Sequence, residues 1–298
     1  MDELHEGGLA GSLVTDSEEA RPGVLVLGGS EGGRPVHMAK LLAAEGFSCL
    51  ALSYFGALPL PRNLVEVPLD YVQDALGWLS AQPCVDGQRL GVIGASKGAE
   101  LALLTAAHMP DAVGAVVAYA PSAVSFAGIA FGGDGRHRSS WSLRGKALPF
   151  VPYPKGARPS LGLRGLSLAP IYRAALRDDE AVAAAAIPIE RAEAPIMLIS
   201  GDRDRMWPSS AMAQMLQDRL RESGKDHRVV HLRFSDAGHS FMPWAPNALS
   251  SRSARLVDGL RLAGFGGLFD LGGKPRANRA ALQEAWAKAV AFLHEHLV

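Results

Sequence analysis

The chain has 298 residues, of which 48% are hydrophobic and 20% charged, as expected of a packed globular protein with a sizeable core. Lysine plus arginine equals aspartate plus glutamate, 30 against 30, so no net field recruits nucleic acid or an anionic membrane. The two cysteines, Cys49 and Cys84, lack CxxC spacing and read as free thiols of a reducing compartment.

The segment Met1 to Arg21 carries Asp2, Glu3, Glu6, Asp16, Glu18 and Glu19. It lacks the basic start and apolar core of a signal peptide, which predicts an acidic N-terminal tail over 1–22 and a cytoplasmic protein. From Gly23 onward strand-like and helical patterns alternate. Val24 to Leu27 is an apolar run closed by Gly28-Gly29, and Pro35 to Gly46 has helical spacing. Phe47 to Tyr54 reads as a second strand, and Leu64 to Leu79 puts Leu69, Val72, Leu76 and Leu79 on one helical face. Leu90 to Gly94 is a further apolar run, with a helix through Leu104 and a strand over Ala115 to Tyr119 behind it. Strands over Pro195 to Ser200 and Arg228 to Phe234 flank a helix over Ser209 to Leu220. An amphipathic helix over Ala277 to Leu297 aligns Leu282, Trp286, Val290 and Leu293.

This alternation predicts an α/β fold, a mostly parallel central sheet with helices on both faces, in a single domain over 23–298. The uncharged stretch Ala112 to Gly133 holds Pro121 and four glycines, so it reads as a buried strand entering a loop and not as a membrane span. An insertion at about 122–170, rich in Gly, Pro, Ser and Arg and poor in periodicity, reads as a lid or binding loop. Between Asp134 and Arg164 one acid faces seven bases, among them Arg136, Arg138 and Arg144.

Gly94-Ala95-Ser96-Lys97-Gly98 has the G-x-S-x-G spacing of a nucleophile elbow. A serine on a sharp strand-to-helix turn exposes its oxygen above the sheet, and side chains at the flanking glycines would clash with neighbouring strand and helix. The pattern alone is weak in a glycine-rich chain; its place between an apolar run and a helical one gives it weight. An acid should follow a later strand, and Ser200-Gly201-Asp202-Arg203-Asp204 offers two. Asp204 lies farther out on the loop and is favoured; Asp202, nearer the strand, reads as a turn cap. His239, in Asp236-Ala237-Gly238-His239, is the one histidine of nine in a Gly-flanked loop directly after a strand in the order serine, acid, histidine. His294 and His296 read as surface residues, and no histidine, cysteine or carboxylate spacing suggests a metal site or calls for a cofactor.

An oxyanion would need two amides. Lys97, at the start of a helix, is one candidate, and Ser30 or Glu31 in the loop Gly28 to Gly33 is the other. That loop lacks both the Lys-Ser/Thr ending of a P-loop and the spacing of a dinucleotide fingerprint.

The run Gly91-Val92-Ile93-Gly94-Ala95-Ser96-Lys97-Gly98-Ala99-Glu100-Leu101 resembles the elbow of the acyl-CoA thioesterases related to bile acid-CoA:amino acid N-acyltransferase. Similar matches are Leu52 to Gly56, Ile187 to Glu190, Ser200 to Asp204 with Trp207, Ala237 to His239, and Leu271 to Ala277 followed by Trp286. The resemblance runs from about Gly23 onward. It implies an α/β-hydrolase fold, the triad Ser96, Asp204 and His239, and hydrolysis of acyl-CoA thioesters or transfer of the acyl group to an amine. In that family the transferase has cysteine at the nucleophile position, so serine points to hydrolysis. Of the N-terminal β-sandwich domain of the mammalian relatives only the segment before Gly23 could remain, and His296-Leu297-Val298 is not a peroxisomal address. The dienelactone hydrolases are also similar but use a cysteine nucleophile.

The expected activity is therefore serine-dependent cleavage of an acyl thioester, with simple ester or lactone hydrolysis and acyl transfer to an amine or alcohol as alternatives. A catalytically dead scaffold is the remaining class. The expected partner is a small acyl thioester or ester, with Arg136, Arg138 and Arg144 meeting the phosphates of coenzyme A or an acyl carrier protein surface.

Overall fold

The structure, a computed structural model, describes residues 2–4, 8–130, 135–239 and 269–298. One eight-stranded sheet organises it: β1 (Asp2–Leu4), β2 (Ala10–Val14), β3 (Arg21–Leu27), β4 (Ser48–Ser53), β5 (Val85–Ala95), β6 (Val113–Tyr119), β7 (Ile196–Gly201) and β8 (Val229–Phe234). Their order across the sheet is β1-β2-β4-β3-β5-β6-β7-β8. The β1/β2 and β2/β4 pairs are antiparallel, and the remaining neighbours run parallel. The predicted mostly parallel sheet is thus present.

The acidic tail expected over 1–22 is corrected by β1 and β2, which form the antiparallel edge of the sheet. Leu4, Leu9, Ala10, Leu13 and Val14 are buried, while the exposed acids Asp16, Glu18 and Glu19 fall in the connection after β2. Counting acids over the whole segment concealed a short apolar run among them.

Alternation along the strands divides the core between the two faces of the sheet. Leu25, Leu27, Leu50, Leu52 and Val92 point to one face, where α2 (Leu69–Ser80), α3 (Lys97–His108) and α6 (Ser209–Glu222) pack. Val24, Val26, Cys49, Ala51 and Ile93 point to the other, against α1 (Val36–Ala44) and α7 (Pro275–Leu297). Both faces being covered is why β3 reads as a continuous apolar run, with Val24 to Leu27 fully buried. Each such leucine contributes about 1.5–3 kcal/mol on burial. Two seven-residue helices, α4 (Ala169–Ala175) and α5 (Asp179–Ala185), are too short to show helical periodicity and were not expected.

The insertion is more packed than a lid-like loop. Trp141–Leu143 pairs parallel with Val67–Pro68 and antiparallel with Lys146–Ala147, and Ser160–Gly162 forms a hairpin with Gly165–Ser167. Phe126, Trp141 and Val151 are fully buried in the core of the α2 and α3 face. The end of the predicted strand-to-loop stretch, 131–133, lies outside the described residues. His294 is also less peripheral than expected: it is half-buried, its ring lies 4.5 Å from Phe47, and its Nε2 is 2.9 Å from the Glu45 carbonyl. His296 packs its ring edge-on against Phe292 at 4.5 Å.

Candidate active site

Ser96 stands between the end of β5 and the first residue of α3, with φ 54° and ψ −119°. Such a conformation costs on the order of 1–3 kcal/mol for a residue with a side chain, and the surrounding turn holds it there. The Ser96 amide donates to the Tyr119 carbonyl at 2.9 Å, and its carbonyl accepts from the Ala99 and Glu100 amides at 3.0 Å each. The flanking glycines are required by contact. A Cβ on Gly94 would lie 2.1 Å from the Gly98 carbonyl oxygen, and one on Gly98 would lie 2.1 Å from that of Gly28. The helix therefore starts hard against the loop after β3.

That loop is held from beneath. The buried Tyr54 hydroxyl donates to the Gly28 carbonyl at 2.6 Å and lies 3.1 Å from that of Gly29. The Glu31 side chain turns back on its own loop, where Oε1 accepts from the Gly29 amide at 2.8 Å. Glu31 is exposed by surface area, yet protein atoms crowd its carboxyl group. That local crowding governs the proton and raises its pKa, opposed by the backbone contacts of Glu31 and Gly29 and by His239. Of the expected oxyanion donors, Lys97 opens α3, where an amide has no intrahelical acceptor. Ser30 and Glu31 lie on the facing loop, with the Glu31 carboxylate drawn toward the loop amides.

Asp204 and His239 are in contact: His239 Nδ1 donates to Asp204 Oδ2 at 2.8 Å. Asp204 is 3% exposed and is fixed by the Met206 and Trp207 amides on Oδ1, at 2.9 and 3.2 Å, and by the Ser209 hydroxyl on Oδ2 at 2.7 Å. Asp202 turns away and accepts from Arg233 Nε at 2.7 Å. The Trp207 ring meets the His239 imidazole edge-on at 5.9 Å, while its Nε1 donates to the Ala120 carbonyl at 3.2 Å. Ser96, Asp204 and His239 thus follow the carboxyl ends of β5, β7 and β8.

Several supporting residues escaped the sequence reading. The segment Leu271 to Lys274 clamps the Asp204 and His239 loops together: the His239 amide donates to the Leu271 carbonyl at 2.7 Å, and Asp204 bridges Gly272. Asn278 accepts from the Gly238 amide at 2.8 Å and donates to the Gly272 carbonyl at 3.2 Å. Gly272 has φ 78°, and a Cβ there would sit 1.8 Å from the Arg203 carbonyl oxygen, so only glycine fits. The GGKPRA motif carried this role without revealing it, because its partners lie more than thirty residues away in sequence.

Beneath Ser96, Lys97 and Glu100 form a buried ion pair, Nζ to Oε1 at 2.7 Å. The same Oε1 accepts from Trp141 Nε1 at 2.6 Å and the Phe126 amide at 3.1 Å, and the Lys97 ammonium lies 5.2 Å from the Trp141 ring centre. Burial pushes Glu100 up and Lys97 down, each opposed by the other. The pair thus ties α3 to the insertion. Of the bases expected to meet substrate, Arg138 is taken by Glu66 in a two-bond ion pair at 2.6 and 2.9 Å. The Arg144 amide donates to Asp70 at 2.8 Å, and the Arg136 side chain is outside the described residues. Among the described residues there is no group of three or more metal-ligating side chains and no helix long and apolar enough to cross a membrane.

The sheet order and the strand-serine-helix turn define an α/β-hydrolase. Solved structures share the fold. A dienelactone hydrolase-like promiscuous phosphotriesterase from metagenomic libraries matches with a TM-score of 0.59 at 17% identity, covering 97% of this chain and 93% of that one. Pyrococcus horikoshii acylaminoacyl peptidase matches at 0.59 and 15%, covering 97% and 39%. Within that class, residues 67–298 match the family described as BAAT / acyl-CoA thioester hydrolase C terminal, and the chain belongs to it. Acyl-coenzyme A thioesterase 6 of Mus musculus is 31% identical over 282 residues, 93% of this chain and 60% of its own length. Acyl-coenzyme A amino acid N-acyltransferase 2 of Rattus norvegicus is 29% identical over 299 residues, 100% of this chain and 66% of its own length. The chain spans less than two thirds of the length of these two relatives.

Proposed function

We propose that the protein is a serine hydrolase that cleaves acyl thioesters, on coenzyme A or a carrier, through an acyl-enzyme on Ser96. The observation that carries this reading is the 2.8 Å bond from His239 Nδ1 to the buried Asp204. With Nδ1 donating to a carboxylate, Nε2 is the acceptor that a serine hydroxyl requires. Ser96 Oγ attacks the carbonyl carbon and its proton passes to His239. The C–S bond then breaks, and the thiol leaves with that proton. Water, deprotonated by His239, attacks the acyl-enzyme and releases the acid. The Lys97 amide and one amide of the Ser30-Glu31 turn hold the oxyanion, aided by the amino end of α3.

A cavity of about 510 Å³ supports an acyl site. It is lined by Ile129, Leu168, Ile171, Tyr153 and Tyr172. Edge-on rings lead from it to the base: Tyr153 on Tyr172 at 5.5 Å, Tyr172 on Trp207 at 5.5 Å, and Trp207 on His239. Arg136, Arg138 and Arg144 could meet coenzyme A phosphates or a carrier protein only if Arg138 exchanged Glu66 for the ligand. The free thiols Cys49 and Cys84 support a reducing, cytoplasmic setting.

Relatives named as N-acyltransferases favour a second reading, in which an amine replaces water on the same acyl-enzyme. A panel of acyl-CoAs and matched simple esters, each with and without glycine as acceptor, tests both readings with Ser96→Ala as control. Serine-dependent thiol release exceeding ester cleavage is expected. Ester cleavage with negligible thioester turnover would sink the thioesterase reading, and an N-acyl amino acid product would replace hydrolysis with transfer.

A further inference from the structure

A second cavity, of about 630 Å³, lies on the far side of the acid loop. Its walls are the hairpin over 160–167, the start of α4, the loop Asp202 to Arg205 and the clamp Asp270 to Lys274. Five bases and three acids line it: Arg164, Arg173, Arg203, Arg205 and Lys274 against Asp202, Asp204 and Asp270. The acids are all engaged. Asp202 holds Arg233, Asp270 holds Arg205 at 3.0 Å, and Asp204 holds His239. Arg203 and Lys274 share Asp236, at 2.6 and 2.8 Å.

Two guanidinium groups therefore stand apart. Arg164 donates only Nη1, to the Gly273 carbonyl at 2.8 Å, and among the described residues neither it nor Arg173 forms an ion pair. Two guanidinium forks that no described carboxylate holds, one on the hairpin and one on α4, line the same cavity and suit a phosphate, whose oxygens accept paired N–H bonds. The cavity shares Asp204 with the catalytic centre, so a ligand anchored there lies beside the thioester site. Arg138 and Arg144 line neither cavity.

We propose that this cavity binds the phosphate groups of the thiol leaving group, with Arg164 and Arg173 as the recognising residues. The inference rests on the thioesterase reading for its biological meaning, but its test does not. Two sources carry the chemistry: the nucleotide phosphates of coenzyme A, or the single phosphate of a carrier-bound phosphopantetheine.

The experiment has a binding arm and a kinetic arm. Adenosine 3′,5′-bisphosphate and 4′-phosphopantetheine are titrated by calorimetry into Ser96→Ala protein and into the same protein carrying Arg164→Gln and Arg173→Gln. Binding of either probe that falls about tenfold or more in the Arg-substituted protein is expected. The probe that binds identifies the source. Equal binding to both proteins, or none to either, overturns the proposal. In the kinetic arm, KM for acyl-CoA should rise about tenfold in Arg173→Gln while turnover of the matching N-acetylcysteamine thioester stays within about twofold. A parallel fall on both substrates would show a structural effect and overturn phosphate recognition. Failure of the wild-type protein to cleave both acyl-CoA and the N-acetylcysteamine thioester would sink the hydrolase reading alone, leaving the calorimetry to decide the cavity.

Discussion

Replacing Glu100 with glutamine removes the charge paired with Lys97, the residue after Ser96. Glu100 is fully buried and Lys97 is 1% exposed, so neither charge can reach water when its partner is lost. Breaking a buried pair from one side costs about 3–5 kcal/mol, because the survivor is left uncompensated. A glutamine oxygen can still accept from Trp141 Nε1 and the Phe126 amide, so most of the loss is the ion pair itself. Burial already favours the neutral amine of Lys97, which limits the damage and places the expected cost near 3 kcal/mol. That is a large part of a total stability on the order of 5–15 kcal/mol. Equilibrium unfolding in guanidinium chloride, followed by tryptophan fluorescence, would measure it. Lys97→Met with Glu100→Gln removes both charges and should recover more than half of the loss. A single variant within about 1 kcal/mol of wild type, or a double variant no more stable than the single, would refute the claim that this pair is a buried, charged tie.

Ser209→Ala deletes the hydroxyl donor to Asp204 Oδ2 and should cost about 1–3 kcal/mol of stability together with a roughly tenfold drop in kcat, read by steady-state thioester assay and thermal melting. Gly98→Ala would place a methyl 2.1 Å from the Gly28 carbonyl oxygen, so soluble protein, where obtained, should have lost at least about a hundredfold in kcat/KM. His231 is held neutral, with Nε2 2.7 Å from the Ser200 hydroxyl and Nδ1 2.9 Å from Gln217 Oε1, and burial lowers its pKa below the usual histidine value. Its unfolded pKa is about 6.5, so the unfolded state binds the extra proton first on acidification. This contribution is therefore complete above that pH and is lost as pH falls toward and through the depressed folded pKa. His231→Gln should flatten the fall in melting temperature between about pH 7 and 5; an unchanged slope would remove His231 from the account.

The sequence exposed the parts of the fold that repeat. The apolar runs Val24 to Leu27 and Ala115 to Tyr119 and the face Leu69, Val72, Leu76 and Leu79 all coincide with elements of the structure. The elbow was legible because its two glycines keep a fixed spacing about the serine, although Gly98 answers to the distant Gly28 carbonyl. What stayed hidden depends on distant partners. Glu100 looked like a helix residue until Trp141 and Phe126 arrived from the insertion, and Asn278 looked like part of a helix start until it met Gly238 and Gly272. The basic run between Arg136 and Arg164 carried no sign that Arg138 would be paired with Glu66 while Arg164 would face a cavity. The buried strand β2 was concealed for a different reason, because its five residues sit in a segment rich in acids.

The central claim is that Ser96 is the nucleophile, and fluorophosphonate labelling tests it most directly. The account predicts one equivalent of phosphonate mapped by peptide mass to Ser96, loss of thioesterase activity in proportion to labelling, and no labelling of Ser96→Ala. Label on another residue, or thioester turnover that persists with Ser96 fully modified, would contradict it.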